Sequence, residues 1–359
     1  MPLSLPWHPG RPFRLPVMYR ARGFGTRVSR SNAVMRSRMN DLTDAIRDEA
    51  ARVLTDGTVA AVIGYRAGSE PFRARPAFVR AAEDAPQLVL NPLCINDLAN
   101  YLPKRKEKAA IVVKGCDGRA LELLIRENQV KRADVHIIGV ACTGTVDPDK
   151  LAAREDVDLR AFEGIRREGE EFVITQGGQE LRVPVVELLR AQCLVCTEPT
   201  PPIFDTLLGE PQPVLAVTPA DPTLAATDTM ALAERLAFFA RGFERCIRCL
   251  ACVRACPACY CTTCFAEQAR PQWVPRSVGL DENRMFHLGR AMHLAGRCVD
   301  CGACEAACPV DVPLRELNAR LRREVAELFG EIDWKDPESL PAFLYFLQDD
   351  TEEAIDGAV

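Results

Sequence analysis

Nowhere in the 359 residues is there a run of about 18 uncharged apolar side chains, which argues against a membrane-spanning helix. A basic excess is missing as well: the net charge is -5, so nothing in the overall balance attracts nucleic acid. No apolar core of a secretory signal is present. The sixteen cysteines are therefore read as thiols of a reducing compartment, the cytoplasm, and not as disulfides. The glycine-bearing stretch Lys114 to Arg119 is neither a Walker loop nor a dinucleotide fingerprint. Residues 1–38 lack acidic side chains altogether while holding eight Arg, and without those eight the net charge of -5 becomes -13. They read as a basic irregular arm or a start assigned too early. On the second reading translation begins at Met39, with Asn40 and Asp41 capping a helix from near Leu42.

What is present in abundance is cysteine in a repeated phrase. Residues 245–257 and 297–309 share eight of thirteen positions, and both carry the spacing C-x2-C-x2-C-x3-C-P. That run is the ferredoxin signature for a [4Fe–4S] cluster, in which the fourth Cys ligates the other cluster. It assigns Cys246, Cys249, Cys252 and Cys308 to one cubane, and Cys298, Cys301, Cys304 and Cys256 to the second. Two-residue gaps let a short chain wrap around soft-metal corners, whereas structural zinc uses separated C-x2-C pairs. Helical period surrounds the runs at Ala231 to Phe243, Leu280 to Ala295 and Val312 to Phe329, the first with Leu232, Leu236, Phe239 and Phe243 on one face. Cys259, Cys261 and Cys264 lie outside the signature and fit either a further metal or reduced bystanders. His287 and His293, on the linking helix, read as structural.

From Met39 onward short runs rich in Val, Ile and Leu alternate with helical stretches. Strands are expected at Thr58 to Ile63, Gln87 to Leu90, Ala109 to Val113 and Val135 to Val140, with helices at Ile95 to Tyr101 and Ala120 to Val130, which together give a mostly parallel α/β sheet. Gln176-Gly177-Gly178-Gln179 between Glu171 to Thr175 and Leu181 to Val185 predicts a hairpin. Cys94, Cys116 and Cys142 follow three of the expected strands, at the sheet edge where ligands of such folds bind. Between a strand and a helix, Lys114-Gly115-Cys116-Asp117-Gly118-Arg119 combines close-approach glycines, two cations and a helix start, which suits a phosphate. Cys142-Thr143-Gly144 could do the same one strand away. Cys193-x2-Cys196 is a chelating pair that, with two strand-end thiols, could complete a third metal site, [4Fe–4S] or zinc, or else stand as a redox-inert pair.

The predicted fold is thus an α/β, mostly parallel sheet domain followed by an α-helical two-cluster ferredoxin-type domain. Its divisions are 1–38, the basic arm; 39–226, the α/β domain; 227–330, the helical 2x[4Fe–4S] domain; and 331–359, an acidic tail. Trp334, Phe343, Tyr345 and Phe346 in that tail suit packing on the body or docking on a partner.

The second half resembles the helical ferredoxin modules of succinate dehydrogenase and heterodisulfide reductase subunits. The first half, especially Val112 to Arg119 and Ile138 to Gly144, is similar to the β-subunit family of deazaflavin-coenzyme-reducing hydrogenases and formate dehydrogenases. This resemblance implies an iron–sulfur flavoprotein (FAD) that moves electrons between a partner's clusters and a soluble carrier, whether deazaflavin, nicotinamide or ferredoxin. It implies Lys114, Gly115, Asp117, Gly118 and Arg119 near the flavin, together with Thr143 and Gly144, and Cys116, Cys142, Cys193 and Cys196 as cluster ligands. The partners would be other subunits of a redox complex, a hydrogenase, formate dehydrogenase or heterodisulfide reductase module. The alternative is a two-cluster relay and docking module without flavin. No residue declares itself catalytic.

Overall fold

The computed structural model describes residues 32–344 apart from Pro213 and Pro219. The expected arm up to residue 31 and the tail beyond 344 lie outside the described residues. Helix α1 (Asn32–Thr55) begins ten residues before the expected start near Leu42, so Asn40 and Asp41 are interior residues and not caps. Helix formers such as Ala33, Met35 and Arg36 allow that extension.

Strands β1 (Ala61–Ala67), β2 (Ala74–Val79), β3 (Ala109–Val113), β4 (Val135–Val140) and a short β8 (Thr206–Leu208) form one sheet in the order β2-β1-β3-β4-β8. The pairs β1/β3, β3/β4 and β4/β8 are parallel, and β2 is an antiparallel edge. Pro76 sits on that edge, where a missing N–H is tolerated. Because side chains alternate across a strand, Val62, Ala110, Val112, Ile138 and Val140 pack with Ile46, Ala50 and Val53 of α1. Ile63, Tyr65, Ile111, Val113 and Ile137 face the other way, onto Leu121 and Leu124 of α2 (Gly115–Arg126). Burial on both faces explains the continuous apolar runs. Each such Val, Ile or Leu contributes about 1.5–3 kcal/mol.

Two expectations are corrected here. Gln87 to Leu90 is not a strand: Gln87 ends a 3₁₀ turn (Ala82–Gln87), and the rest is an extended stretch whose Val89 N–H donates to Tyr65 O at 2.9 Å. The 3₁₀ turn before it and the Asn91-Pro92 step after it cut the run short. Ile95 to Tyr101 is helical only over a 3₁₀ turn, Ala99–Tyr101.

A second sheet, β5 (Phe162–Glu168), β6 (Glu171–Gln176) and β7 (Gln179–Pro184), is an antiparallel meander. Gly177 and Gly178 turn its hairpin at φ 54° and 73°, both left-handed as a two-residue type I′ loop requires. Its apolar face, with Phe172, Ile174 and Val183, packs with Leu188, Leu189 and Leu194. It thereby props up the single-turn helices α3 (Pro148–Ala152), α4 (Val185–Leu188) and α5 (Ala191–Leu194).

Beyond it come α6 (Pro222–Asp228), α7 (Leu232–Glu244), α8 (Ala251–Arg254), α9 (Leu280–Leu294), α10 (Ala303–Ala306) and α11 (Leu314–Phe329). The chain is an α/β sheet domain followed by a helical, cysteine-bearing region. On α7 the expected apolar face divides: Phe243 is buried, but Leu232 and Leu236 are 69% and 62% exposed. Helix α7 packs on α9 only through its C-terminal turns, at Phe239, Phe243 and their neighbours. Residues 331–344 return to α2, where the Arg126 guanidinium donates to the carbonyls of Asp333, Trp334 and Ser339 and lies over the Trp334 ring. Among the described residues no helix is long and apolar enough to cross a membrane.

Candidate metal centres and redox site

In the first cysteine run α7 delivers Cys246, the chain turns through Arg248 (φ 47°) and Leu250 (φ 60°), and α8 carries Cys252. The second run repeats this at matching positions, with Asp300 (φ 52°), Gly302 (φ 68°) and α10 carrying Cys304. These left-handed turns curl each run back between its second and third cysteines. A non-glycine residue there costs roughly 1–2 kcal/mol, which Arg248, Leu250 and Asp300 all bear. Backbone N–H groups then point at sulfur: Arg248 at Cys246 Sγ (3.3 Å) and Val312 at Cys308 Sγ (3.4 Å).

Cys308 lies beside Cys246 and Cys252 of the first run, and Cys256 shares a small cavity with the three thiols of the second. Cys246 has Cys308 and Cys249 as charge neighbours, and Cys252 has Cys304, Cys246 and Cys308. Cys256, Cys298, Cys301 and Cys304 line one small cavity together with Arg290, Arg315 and Asn318. Burial pushes the Cys252 and Cys298 thiols up to about 12 and Cys304 up to about 11. Thiols so placed keep their protons unless metal displaces them. Around the second tetrad, Gln192 Oε1, Arg290 Nε, Arg315 Nε and Asn318 Oδ1 are buried without a partner. Soft donors ringed by unspent polar atoms fit a sulfur-rich cluster. Among the described residues no three His, Cys, Asp or Glu side chains close on a single ion.

The α/β domain grips this second run. Arg190 Nη2 donates to Gly302 O (2.6 Å), Gln192 Nε2 to Cys301 O (3.1 Å) and Arg119 Nη2 to Val299 O (3.2 Å). Beside the contact opens a cavity of about 780 Å³ lined by Cys116, Cys142, Cys193 and Cys196, and also by Cys298 and Cys301. β3 leads into Cys116 on the first turn of α2, β4 ends just before Cys142, and α5 holds Cys193. Burial, first of all, raises the Cys116 thiol well above its ordinary value and Cys142 up to about 12. Gly144 N–H donates to Cys142 Sγ (3.4 Å), and Thr145 N–H to Cys193 Sγ (3.5 Å). Cys94 stands apart, fully buried in the core, with Val89 O and Asn91 as its neighbours.

The glycine-rich loop is arranged around the protein's own atoms. Lys114 is buried, with Nζ 2.7 Å from Asp117 Oδ2 and the Tyr65 hydroxyl and Asn96 O as further partners. Burial alone would strip its proton, but Asp117 and Tyr65 outweigh that and hold it cationic. A Cβ on Gly115 would meet Glu198 O, and one on Gly118 would meet Pro201. Arg119 pairs with Glu198. Thr143 O accepts from Arg167 Nη1 (2.5 Å), and Gly144 lies against Leu189 and Leu215.

Sequence reasoning missed Arg190, Gln192, Arg290 and Asn318. Arg290 alone left a signal, a cation in the apolar stripe of α9 with Phe286 and Leu294 four residues either side. His287 lies stacked on Phe243 at 4.9 Å with both ring nitrogens unpartnered, and His293 is edge-on to Phe265.

Two families match the chain. The C terminus of the coenzyme F420 hydrogenase/dehydrogenase beta subunit covers residues 106–216, and the 4Fe-4S dicluster domain covers 242–312. The chain joins an FrhB/FdhB-like domain to a 4Fe–4S dicluster domain. It is thus an iron–sulfur subunit of the oxidoreductase type, related to hydrogenase and formate dehydrogenase β subunits, and the dicluster domain accounts for two [4Fe–4S] clusters. Among similar proteins, the F420-dependent formate dehydrogenase subunit beta of Methanocaldococcus jannaschii is 23% identical over 81% of this chain and 90% of its own length. The F420-dependent formate dehydrogenase 1 subunit beta of Methanococcus maripaludis is 25% identical over 44% of each chain. A chain of the F420-reducing [NiFe] hydrogenase complex of Methanosarcina barkeri superposes with a TM-score of 0.39 and 14% identity, over 47% of this chain and 63% of that one, a likeness below that of a shared fold.

Proposed function

We propose that the chain is the electron-transfer subunit of a hydrogenase- or formate-dehydrogenase-type complex. In this reading the first tetrad is Cys246, Cys249, Cys252 and Cys308, and the second is Cys298, Cys301, Cys304 and Cys256. A third, Cys116, Cys142, Cys193 and Cys196, continues the line into the α/β domain. One observation carries it: Cys298 and Cys301 open into the cavity that holds the third set, and Cys252 of the first set neighbours Cys304 of the second. The three sets form one unbroken file.

Cubanes at these positions supply one-electron couples, and a flavin beside the third set supplies the exchange between a hydride and single electrons. The chain's residues space the sets, exclude water from the second and aim N–H groups at the sulfurs. The 780 Å³ cavity is in the range that admits a cofactor of this kind. The names of its relatives, F420-dependent formate dehydrogenase beta subunits, support F420 as the soluble carrier and another formate dehydrogenase subunit as the partner.

A second reading, a relay without flavin, is favoured by the Lys114–Asp117 pair and by Glu198 and Pro201 filling the space at Gly115 and Gly118. Anaerobic purification with native partners separates the two. About eight iron atoms per chain mark two clusters and about twelve mark three, while zinc in place of the last four makes the third set structural. Flavin fluorescence released on denaturation supports the first reading. Its absence from an active complex rejects it.

A further inference from the structure

Helix α9 joins the two cysteine runs in sequence and carries a single guanidinium into the space between their tetrads. Arg290 is 3% exposed, and among the described residues no carboxylate pairs with it. Arg315, which lines the same cavity and is 2% exposed, is neutralised by Asp221 at 2.5 Å and Asp300 at 2.9 Å. The contrast isolates Arg290 as an uncompensated cation. Its Nη2 donates to the Cys252 carbonyl (3.1 Å), its Nε is left without a partner, and the charges facing it are the sulfurs of Cys256, Cys304, Cys259 and Cys252. Cys252 belongs to the first tetrad, Cys256 and Cys304 to the second. Cys259, which the cluster signature leaves over and which does not line the second cavity, lies beside both Cys256 and Arg290.

Burying a lone guanidinium is costly, and the cost is offset only where negative charge surrounds it. Four thiolates outweigh the positive charge of a cubane core, and each added electron makes the unit more negative still. Net charge and hydrogen bonding are among the factors that set a cluster's potential.

We infer that Arg290 sets the potential of both clusters at once: its guanidinium favours the reduced form of each and offsets the repulsion between them, so that both can hold an electron together. The inference rests on the two-cluster reading of the runs.

The test is an EPR-monitored redox titration of the iron-loaded full chain, comparing wild type, Arg290→Lys and Arg290→Met. With iron content equal in all three, the methionine variant should have both midpoints shifted to lower potential, most at the second cluster. The spin-coupled signal of the doubly reduced form should emerge only at lower potential, and the lysine variant should stay near wild type. Unchanged midpoints in the methionine variant, or equal shifts in both variants, would overturn the inference. Should methionine prevent iron loading, Arg290→Gln, which keeps a donor without the charge, takes its place: both midpoints should fall below those of the lysine variant, and midpoints equal to wild type would overturn the inference. A wild-type chain that binds far fewer than about eight irons rejects the cluster reading itself, which is a separate result.

Discussion

The two cysteine runs share spacing, left-handed turns and a proline exit, yet they are set in opposite surroundings. In the first, Cys249 is exposed and Ile247 beside it is 57% exposed. In the second, the α/β domain covers the loop, with Arg190, Gln192 and Arg119 holding three of its carbonyls. One phrase therefore makes an outward-facing site and an inward-facing one. The difference lies in what packs on the loop. On the proposed function, the first run would face a partner and the second would pass charge onward inside the chain.

The largest test of that contrast is a pair of ligand changes. Cys301→Ser should remove the buried cluster, lower iron by about four atoms per chain and abolish transfer between partner and carrier. Cys249→Ser, where water and a serine oxygen can complete the exposed corner, should keep most of its iron and some transfer. Iron analysis with turnover of the assembled complex reads both, and equal losses would erase the distinction.

Next in size is a pH effect confined to the first run's surroundings. Burial, with Arg290 and Arg248 adding to it, holds His287 down to about 4, below the value of about 6.5 for the unfolded chain. Above that unfolded value both states are neutral and nothing is lost. As pH falls below it only the unfolded chain takes up the proton, so stability declines until about pH 4, by about 3 kcal/mol in all. Denaturant titrations across that window should show the slope, and His287→Leu should flatten it.

Arg190→Ala probes the cover on the second run. Hydrogen bonds from a charged donor contribute about 1.5–3 kcal/mol, so a loss of about 2 kcal/mol is expected. Faster air-driven bleaching should follow, limited to the buried cluster. Wild-type bleaching would show that the cover does not shield.

The smallest effect separates the matching turns. Leu250→Gly relieves a left-handed leucine, worth about 1 kcal/mol, but gives up its partly buried packing on the Phe243 cluster, so the net change should be small, within about 1 kcal/mol. Gly302→Ala should destabilise, because its Cβ would meet Gln192 Nε2 and Arg190 Nη2. A clearly larger loss in Gly302→Ala than in Leu250→Gly, read by thermal unfolding, is the required outcome.

Legibility in the sequence followed the range of the interaction. β3 and β4 were readable to the residue because a strand buried on both faces writes itself as an unbroken apolar run. β8 was not, since Thr206–Leu208 has only three residues and takes its identity from β4. The eight cysteines of the runs stood out because metal chelation demands local spacing. The Lys114 to Arg119 loop reads as open to a ligand because no local pattern shows that Asp117, Glu198 and Pro201 already occupy its charges and spaces. Arg190 and Gln192 were invisible for the same reason, since their partners lie about 110 residues away.

The returning segment 331–344 also bears on the large cavity. Ile332, Trp334 and Leu340 form part of that cavity's lining, and the Arg126 guanidinium fastens their segment through the carbonyls of Asp333, Trp334 and Ser339. The shape and wetness of the chamber are thus decided near the end of the chain as much as by the strands that begin it. A nick or truncation near residue 330 would leave all twelve sulfurs in the sequence while exchanging one apolar wall for solvent.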